Sequence, residues 1–305
     1  MKGKIVFLVG PTAVGKSEVA VRLAESINGE IISCDSMQVY KGMDTLTSQP
    51  APILRKKIAH HLAAVVSPGK EYSVCLWRAQ AVKKIQEILK KKKIPLFVGG
   101  TGLYMSVLID GIFEARAAKS IRSRLQKDLK HFGCAYLYNR LQSVDPQAAR
   151  KIHPHDARRI IRALEVFTST GQPISFLQKQ RKGLFGQGYE IKIFCLNMER
   201  EALYQRIDTR VEKMFCQGLV AEVRGLLRKK LSKTAGSAIG IKELKGCFDG
   251  QYDLQEAKEL IQRHSRNYAK RQLGWFRKDK RVNWINIAEL EKPGQTACRI
   301  KKKLY

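Results

Sequence analysis

Behind Lys4, apolar residues run unbroken through positions 5–9, and a strand is expected over 4–9. At Gly10-Pro11 the pattern changes to one apolar and one polar face, continuing to about Ser26. The first pattern is that of a strand buried on both faces, the second that of an amphipathic helix. A second apolar run covers 30–34 and stops at Asp35-Ser36, and a third covers 94–98 and stops at Gly99-Gly100-Thr101-Gly102. Between them, 74–92 has helical spacing, with Val82, Ile85 and Leu89 on one stripe. Strand, helix, strand, helix, strand predicts an α/β fold, a parallel sheet flanked by helices. From 113 to 182 the spacing is helical and no strand is expected. Strand character returns at 189–196, long helices are expected over 200–229 and 254–277, and a last strand over 282–287. The chain therefore reads as a discontinuous core domain, 1–112 with 183–305, and an all-helical insertion domain, 113–182.

Composition narrows the class. With 305 residues and 44% hydrophobic residues a sizeable core is available. No apolar stretch approaches the ~20 residues of a membrane span, and the short apolar run near the start is a strand rather than a signal-peptide core. Lysine and arginine number 57 against 27 acids, a formal charge of +30. Such an excess suits a polyanionic partner, or else a solvated lysine-rich surface; only the placement of the charges separates the two. The run 90–93 reads as a solvated helix end. The seven cysteines form no CxxC pair, which fits scattered thiols in a reducing cytoplasm rather than a disulfide framework or zinc ribbon.

The most specific local signal is Gly10-Pro11-Thr12-Ala13-Val14-Gly15-Lys16-Ser17, a phosphate-binding loop with a strand before it and a helix after. Its glycines let backbone N–H groups turn inward around phosphate oxygens, and the helix adds the partial positive charge of its N-terminus. Lys16 can neutralise a terminal phosphate and Ser17 can ligate Mg²⁺. The motif specifies a diphosphate or triphosphate without choosing between them.

Ligands of an open parallel sheet sit beyond the carboxyl ends of its strands, where Asp35, Ser36 and the turn Gly99 to Gly102 fall. Asp35 fits a metal-bound carboxylate, a general base or a turn cap, and Thr101 a ligand-facing hydroxyl or part of a tight turn. His153-Pro154-His155 and His60-His61 lack cysteine partners and are assigned no metal. Three basic sets have helical spacing: Arg158, Arg159 and Arg162 after Asp156; Arg206 and Arg210 beside an apolar stripe of Leu203, Ile207, Val211 and Phe215; and Arg263, Arg266, Lys270 and Arg277. In the last helix Ile261, Tyr268 and Trp275 are expected on the packing face. Together on so basic a chain, these sets point to nucleic acid.

Taken in order, GPTAVGKS (10–17), DSMQVY (35–40), HHL (60–62), YSV (72–74), GGTGLY (99–104), DARRIIRALEV (156–166), RIDTRVEKM (206–214), AIGIKEL (238–244) and YAKRQLGWFR (268–277) resemble the tRNA dimethylallyltransferases. The resemblance implies a P-loop NTPase-like parallel sheet flanked by helices with a helical insertion, Mg²⁺ as cofactor, dimethylallyl diphosphate and the tRNA anticodon stem-loop as ligands, and no nucleotide hydrolysis. The implied reaction is dimethylallyl transfer to N6 of the adenosine 3′ to the anticodon, in tRNAs reading codons that begin with U. It also implies residue roles. Thr12 to Ser17 would hold the diphosphate, with Ser17 on the metal. Asp35 would be the general base, with Thr101 in support. Ser36, Met37 and Gln38 would hold an extruded base. Arg158, Arg159, Ile160, Ile161 and Arg162 would contact tRNA, and Arg210, then Arg206, would stabilise the leaving diphosphate. A cytoplasmic monomer is expected.

The chain departs from the usual pattern at several points. Leu46-Thr47-Ser48-Gln49-Pro50 stands where the family commonly reads GTAKP. Ala64 replaces an aspartate, Ile241 a tyrosine and Gly274 a threonine, and the acidic stretch is weak around 117–120. No zinc finger of the kind carried by eukaryotic members is expected. Two other functions compete on the residues alone: a small-molecule or nucleotide kinase using the same loop and Asp35, and a basic RNA-binding protein without catalysis.

Overall fold

A computed structural model describes residues 2–113 and 118–305. The weak acidic stretch expected around 117–120 begins at a residue outside that set. The elements run β1 (Gly3–Val9), α1 (Lys16–Ser26), β2 (Gly29–Ser33), α2 (Pro52–Lys57), β3 (His60–His61), α3 (Val74–Lys90), β4 (Ile94–Gly99) and α4 (Gly102–Asp110). Next come α5 (Lys119–Val144), α6 (Pro146–Ala149), α7 (Ala157–Thr170), α8 (Ile174–Lys179), β5 (Tyr189–Asn197), α9 (Arg200–Cys216) and α10 (Leu219–Leu227). The chain ends with α11 (Ile241–Phe248), α12 (Leu254–Phe276), β6 (Val282–Asn286) and α13 (Pro293–Lys302).

All strand pairs are parallel, in the order β3-β2-β4-β1-β5-β6. The register sets Val6 beside Leu96 and Phe7 beside Phe97. The pleat sends Val6 and Leu8 into a core shared with α1 and α13, including Val19, Leu23 and Ile300. Phe7 faces the other way and stacks on Phe97 with centroids 4.7 Å apart. Trp77 of α3 meets Phe97 edge-on, lies 4.4 Å from Tyr104 of α4, and donates its indole N–H to Ser33 O. A sheet covered on both faces explains why β1, β2 and β4 read as continuous apolar runs.

The chain folds as two compact units, Met1–Leu108 with Phe185–Tyr305, and Ile109–Leu184. The first holds the sheet. The second holds helices α5 to α8 around a core that includes Leu125, Leu137, Leu141, Ile160 and Leu164. Inside α5, Gly133 leaves helical geometry at φ 79°.

Three helix expectations are corrected. The pattern over 200–229 is two helices, because Gly218 adopts φ 90° and starts α10 afresh. The buried stripe of α3 is Trp77, Ala81, Ile85 and Ile88; Val82 and Leu89 flank it, half-buried, because the sheet face takes the bulky Trp77 and turns the helix to suit. On α12 the packing side is Ile261, Ala269, Gln272 and Phe276; Trp275 is 40% exposed and Tyr268 half-buried. The run 90–93 is not wholly solvated either. Lys91 and Lys93 reach the buried Glu30 at 3.4 and 2.9 Å, and His61 Nε2 meets the same carboxylate at 2.8 Å. Burial alone would raise Glu30; bonds from His61, Lys93 and Lys91 instead hold it at about 2.

Candidate active site

The carboxyl ends of β1, β2 and β4 open on one cavity of about 660 Å³. Its floor is the loop after β1. Gly15 takes φ 94° and caps α1 without a side chain, so the first-turn N–H groups of Lys16, Ser17 and Glu18 are left uncapped at the cavity. Ala13 also has positive φ, 65°, unusual for a residue with a Cβ and part of what curls the loop. This is a ready anion cradle.

Two cations stand over the cradle. Lys16 Nζ folds back onto Gly10 O and Pro11 O at 3.0 and 2.6 Å. Burial pushes its ammonium down to about 8; Asp35 opposes that fall and Arg210 adds to it. Arg210, on α9, donates from Nε to Ser48 Oγ at 2.9 Å and from Nη1 to Thr12 Oγ1. Burial lowers its pKa too, with Asp35 working the other way. Arg206, one turn earlier, donates to Glu289 O at 2.7 Å on the cavity rim. The cavity therefore holds more buried positive charge than Asp35 alone balances, an arrangement that an entering anion would relieve.

Asp35 follows β2 and lines the same cavity. Its Oδ1 accepts from Met37 N and Gln38 N at 2.9 and 3.3 Å, so the turn-cap role is real and fixes the carboxyl in place. Cap and catalyst are compatible here, since Asp35 also faces the cavity. Thr101 Oγ1 accepts from Ser36 N at 3.0 Å and lies 3.4 Å from Ser36 Oγ. Gln38 donates to Thr47 O and Ser48 O, steadying the loop that brings Ser48 to Arg210. From the other side, Glu222 of α10 accepts from Thr45 N and Leu46 N at 2.9 and 2.8 Å.

The turn after β4 is packed to the limit. A Cβ on Gly99 would stand 2.1 Å from Cys34 O, one on Gly100 2.0 Å from Gln272 Nε2, and one on Gly102 2.2 Å from Trp275. Only glycine lets this turn approach both β2 and α12 so closely.

Tyr268 and Gln272 are among the cavity residues that the sequence does not mark as such. Tyr268 lines the cavity; burial, with Asp35 nearby, raises its phenol well above the usual range, and the side chains of Thr101 and Gln272 are close enough to oppose that rise. Gln272, buried on the same helix, accepts from Thr12 N at 2.9 Å and donates to Gly100 O at 3.0 Å. Thr12 is therefore committed on both sides, its N–H to Gln272 and its hydroxyl to Arg210. The YAKRQ signature of 268–272 was the available signal, but only the tertiary fold shows what its first and last residues touch.

Outside the cavity the expectations fare differently. Ile160 and Ile161, grouped with the arginines of α7 as tRNA contacts, are buried in the helical core at 0% and 6% exposure, so their side chains cannot serve. Arg158 and Arg159 are exposed, Arg159 pairing with Asp156, which caps the helix. Arg162 pairs with Glu165 at 3.0 Å. Among the departures, Gln49 donates to Tyr40 O and Gln38 O, a backbone brace where the family pattern has lysine. Among the described residues no group of three or more His, Cys, Asp or Glu could hold a metal, and no helix is long and apolar enough to cross a membrane.

A family profile described as IPP transferase matches residues 38–279, and one described as isopentenyl transferase matches residues 3–57. The chain is 45% identical over 287 residues to the tRNA dimethylallyltransferase of Geobacter sulfurreducens, spanning 93% of this chain and 92% of that protein. A crystal structure of the full-length tRNA isopentenylpyrophosphate transferase of Bacillus halodurans matches at TM-score 0.73 and 37% identity, covering 99% of this chain and 96% of that one. Crystallographic snapshots of a eukaryotic dimethylallyltransferase acting on tRNA match at TM-score 0.83 and 28% identity, covering 98% and 77%. The kinase reading is not favoured by these relatives. With a profile over most of its length and relatives at this identity end to end, the chain belongs to the IPP transferase family of prenyltransferases.

Proposed function

We propose that this protein transfers the dimethylallyl group of dimethylallyl diphosphate to the N6 amine of a tRNA adenosine, the one 3′ to the anticodon in tRNAs reading codons that begin with U. One observation carries the reading: a carboxylate and a surplus of buried cations face a single cavity at the end of the sheet. In the reaction, the C1–O bond to diphosphate breaks and an N6–C1 bond forms. The N6 proton passes to Asp35, and diphosphate departs. The amine is a weak nucleophile because its lone pair is delocalised into the ring, so a fixed base is needed to take the proton as the bond forms. Asp35 is held for that by Met37 N and Gln38 N. Lys16, Arg210 and the uncapped first turn of α1, all on this cavity, would neutralise the negative charge that grows on the leaving group.

The Ser17 hydroxyl lines the cavity, and this hard oxygen donor, with diphosphate oxygens, suits Mg²⁺. When bound, that ion would neutralise charge on the diphosphate. The acceptor base must leave its stack to enter, at a cost of a few kcal/mol. Basic helices such as α7, with Arg158 and Arg159 exposed, supply phosphate contacts to offset it.

The direct test incubates the pure protein with labelled dimethylallyl diphosphate, Mg²⁺ and unmodified tRNA, then digests the RNA. Labelled N6-isopentenyladenosine is the expected product. ATP turnover with no prenylated nucleoside would replace this reading with the kinase one.

A further inference from the structure

Gln272 lies one turn beyond Tyr268 on α12 and is only 5% exposed. Its amide joins two loops that are distant in sequence. Oε1 accepts from Thr12 N in the phosphate cradle, and Nε2 donates to Gly100 O in the turn that carries Thr101. One amide orientation satisfies both partners, and a flipped amide would face donor to donor and acceptor to acceptor. The bridge extends at each end. Thr12 Oγ1 accepts from Arg210, and Thr101 Oγ1 accepts from Ser36 N. The diphosphate side and the acceptor side of the cavity therefore meet through one buried side chain.

We infer that Gln272 is a positioning residue that sets the spacing between the diphosphate cradle and the turn presenting Thr101, and so the alignment of the two substrates. This rests on the transfer reaction proposed above. Each substrate binds mainly to its own loop, so its affinity depends little on the bridge. The saturated rate depends on both loops at once, because bond formation needs the attacking nitrogen in line with the breaking C–O bond. A misplacement of about 1 Å costs on the order of 100-fold in such a step.

The test measures single-turnover transfer with both substrates saturating. It also measures dissociation constants for tRNA and for a non-reactive thiodiphosphate analogue of dimethylallyl diphosphate. Gln272→Ala should lower the saturated rate roughly 10- to 100-fold and leave both dissociation constants within about threefold. Gln272→Glu adds a readout that a purely structural role would not move. A protonated carboxyl regains the donor to Gly100 O, so its rate relative to the parent protein should rise as pH falls from about 8 to about 6. A parent-like saturated rate for Gln272→Ala, or a loss confined to one dissociation constant, overturns the inference. If Gln272→Ala does not fold, a flat relative pH profile for Gln272→Glu overturns it. A parent protein that transfers no prenyl group would instead count against the proposed reaction itself.

Discussion

The two ends of β2 each carry a cluster of charges, and the clusters are built on opposite plans. At the amino end Glu30 is buried beneath Lys91, Lys93 and His61, so several donors converge on one carboxylate. At the carboxyl end Asp35 shares a cavity with Lys16 and Arg210, and both cations have lost hydration without gaining a carboxylate contact of their own. Their close partners are neutral oxygens: Gly10 O, Pro11 O, Ser48 Oγ and Thr12 Oγ1. The first cluster is complete within the chain and ties the β3 edge and the α3–β4 connection to β2. The second takes its balancing charge from a polyanion. A satisfied cluster stabilises, whereas an unsatisfied one binds.

Substitutions can break this contrast. Asp35→Ala should have the largest effect, lowering the transfer rate by about 10²- to 10⁴-fold with tRNA affinity nearly unchanged, as read by single-turnover kinetics beside filter binding. Equal losses in both would mean that Asp35 is only a turn cap. Glu30→Ala should leave the saturated rate intact but cost about 1.5–3 kcal/mol of stability, since three partly exposed donors lose a charged hydrogen-bond partner; denaturant melts would show it. Because Glu30 is depressed in the folded state, its contribution is fully present above the ordinary glutamate value and is lost as pH falls towards about 2. A stability difference between the parent protein and Glu30→Ala that stayed constant as pH fell from about 5 to about 2 would contradict this.

Lys16→Ala should weaken the thiodiphosphate analogue roughly 10- to 100-fold, by analogy with removing a charge-assisted contact of about 1.5–3 kcal/mol, and calorimetry measures it directly. The same lysine has a pH signature of the opposite sense to Glu30. Its ammonium sits near 8, and a bound diphosphate would hold the proton. Affinity should therefore fall as pH rises above about 8, by at most tenfold per unit; constant affinity from about pH 8 to about pH 10 would remove Lys16 from the cradle. The smallest effect is expected on α7. Neutralising Arg158, Arg159 and Arg162 should flatten the salt dependence of tRNA binding by up to about three contacts' worth of slope. An unchanged slope would show that these arginines face solvent only.

Locally encoded features are legible in the sequence by itself. β1, the loop of Gly10 to Ser17, and α1 follow from apolar continuity, glycine spacing and a 3.6-residue period, all within about twenty-five residues. Asp35 and Thr101 are placed by the rule that strand ends face the ligand, and both line or adjoin the cavity. What escapes depends on distance in sequence. Gln272 meets Thr12 across 260 positions, and no periodicity in α12 marks it as a bridge. Lys91 and Lys93 read as a solvent-facing run because their partner, Glu30, lies some sixty positions away. The division of 200–229 at Gly218 is hidden because apolar spacing continues in phase past a residue that only its φ reveals as a break.

The glycine turn after β4 has a consequence for how this chain can change over generations. Each of its three crowded glycines is confronted by a separate neighbour: main chain at Cys34, the amide of Gln272 and the indole of Trp275. No single compensating replacement elsewhere could make room at all three. Drift in this stretch is blocked position by position, so the segment should remain fixed while the basic surface around it is free to diversify.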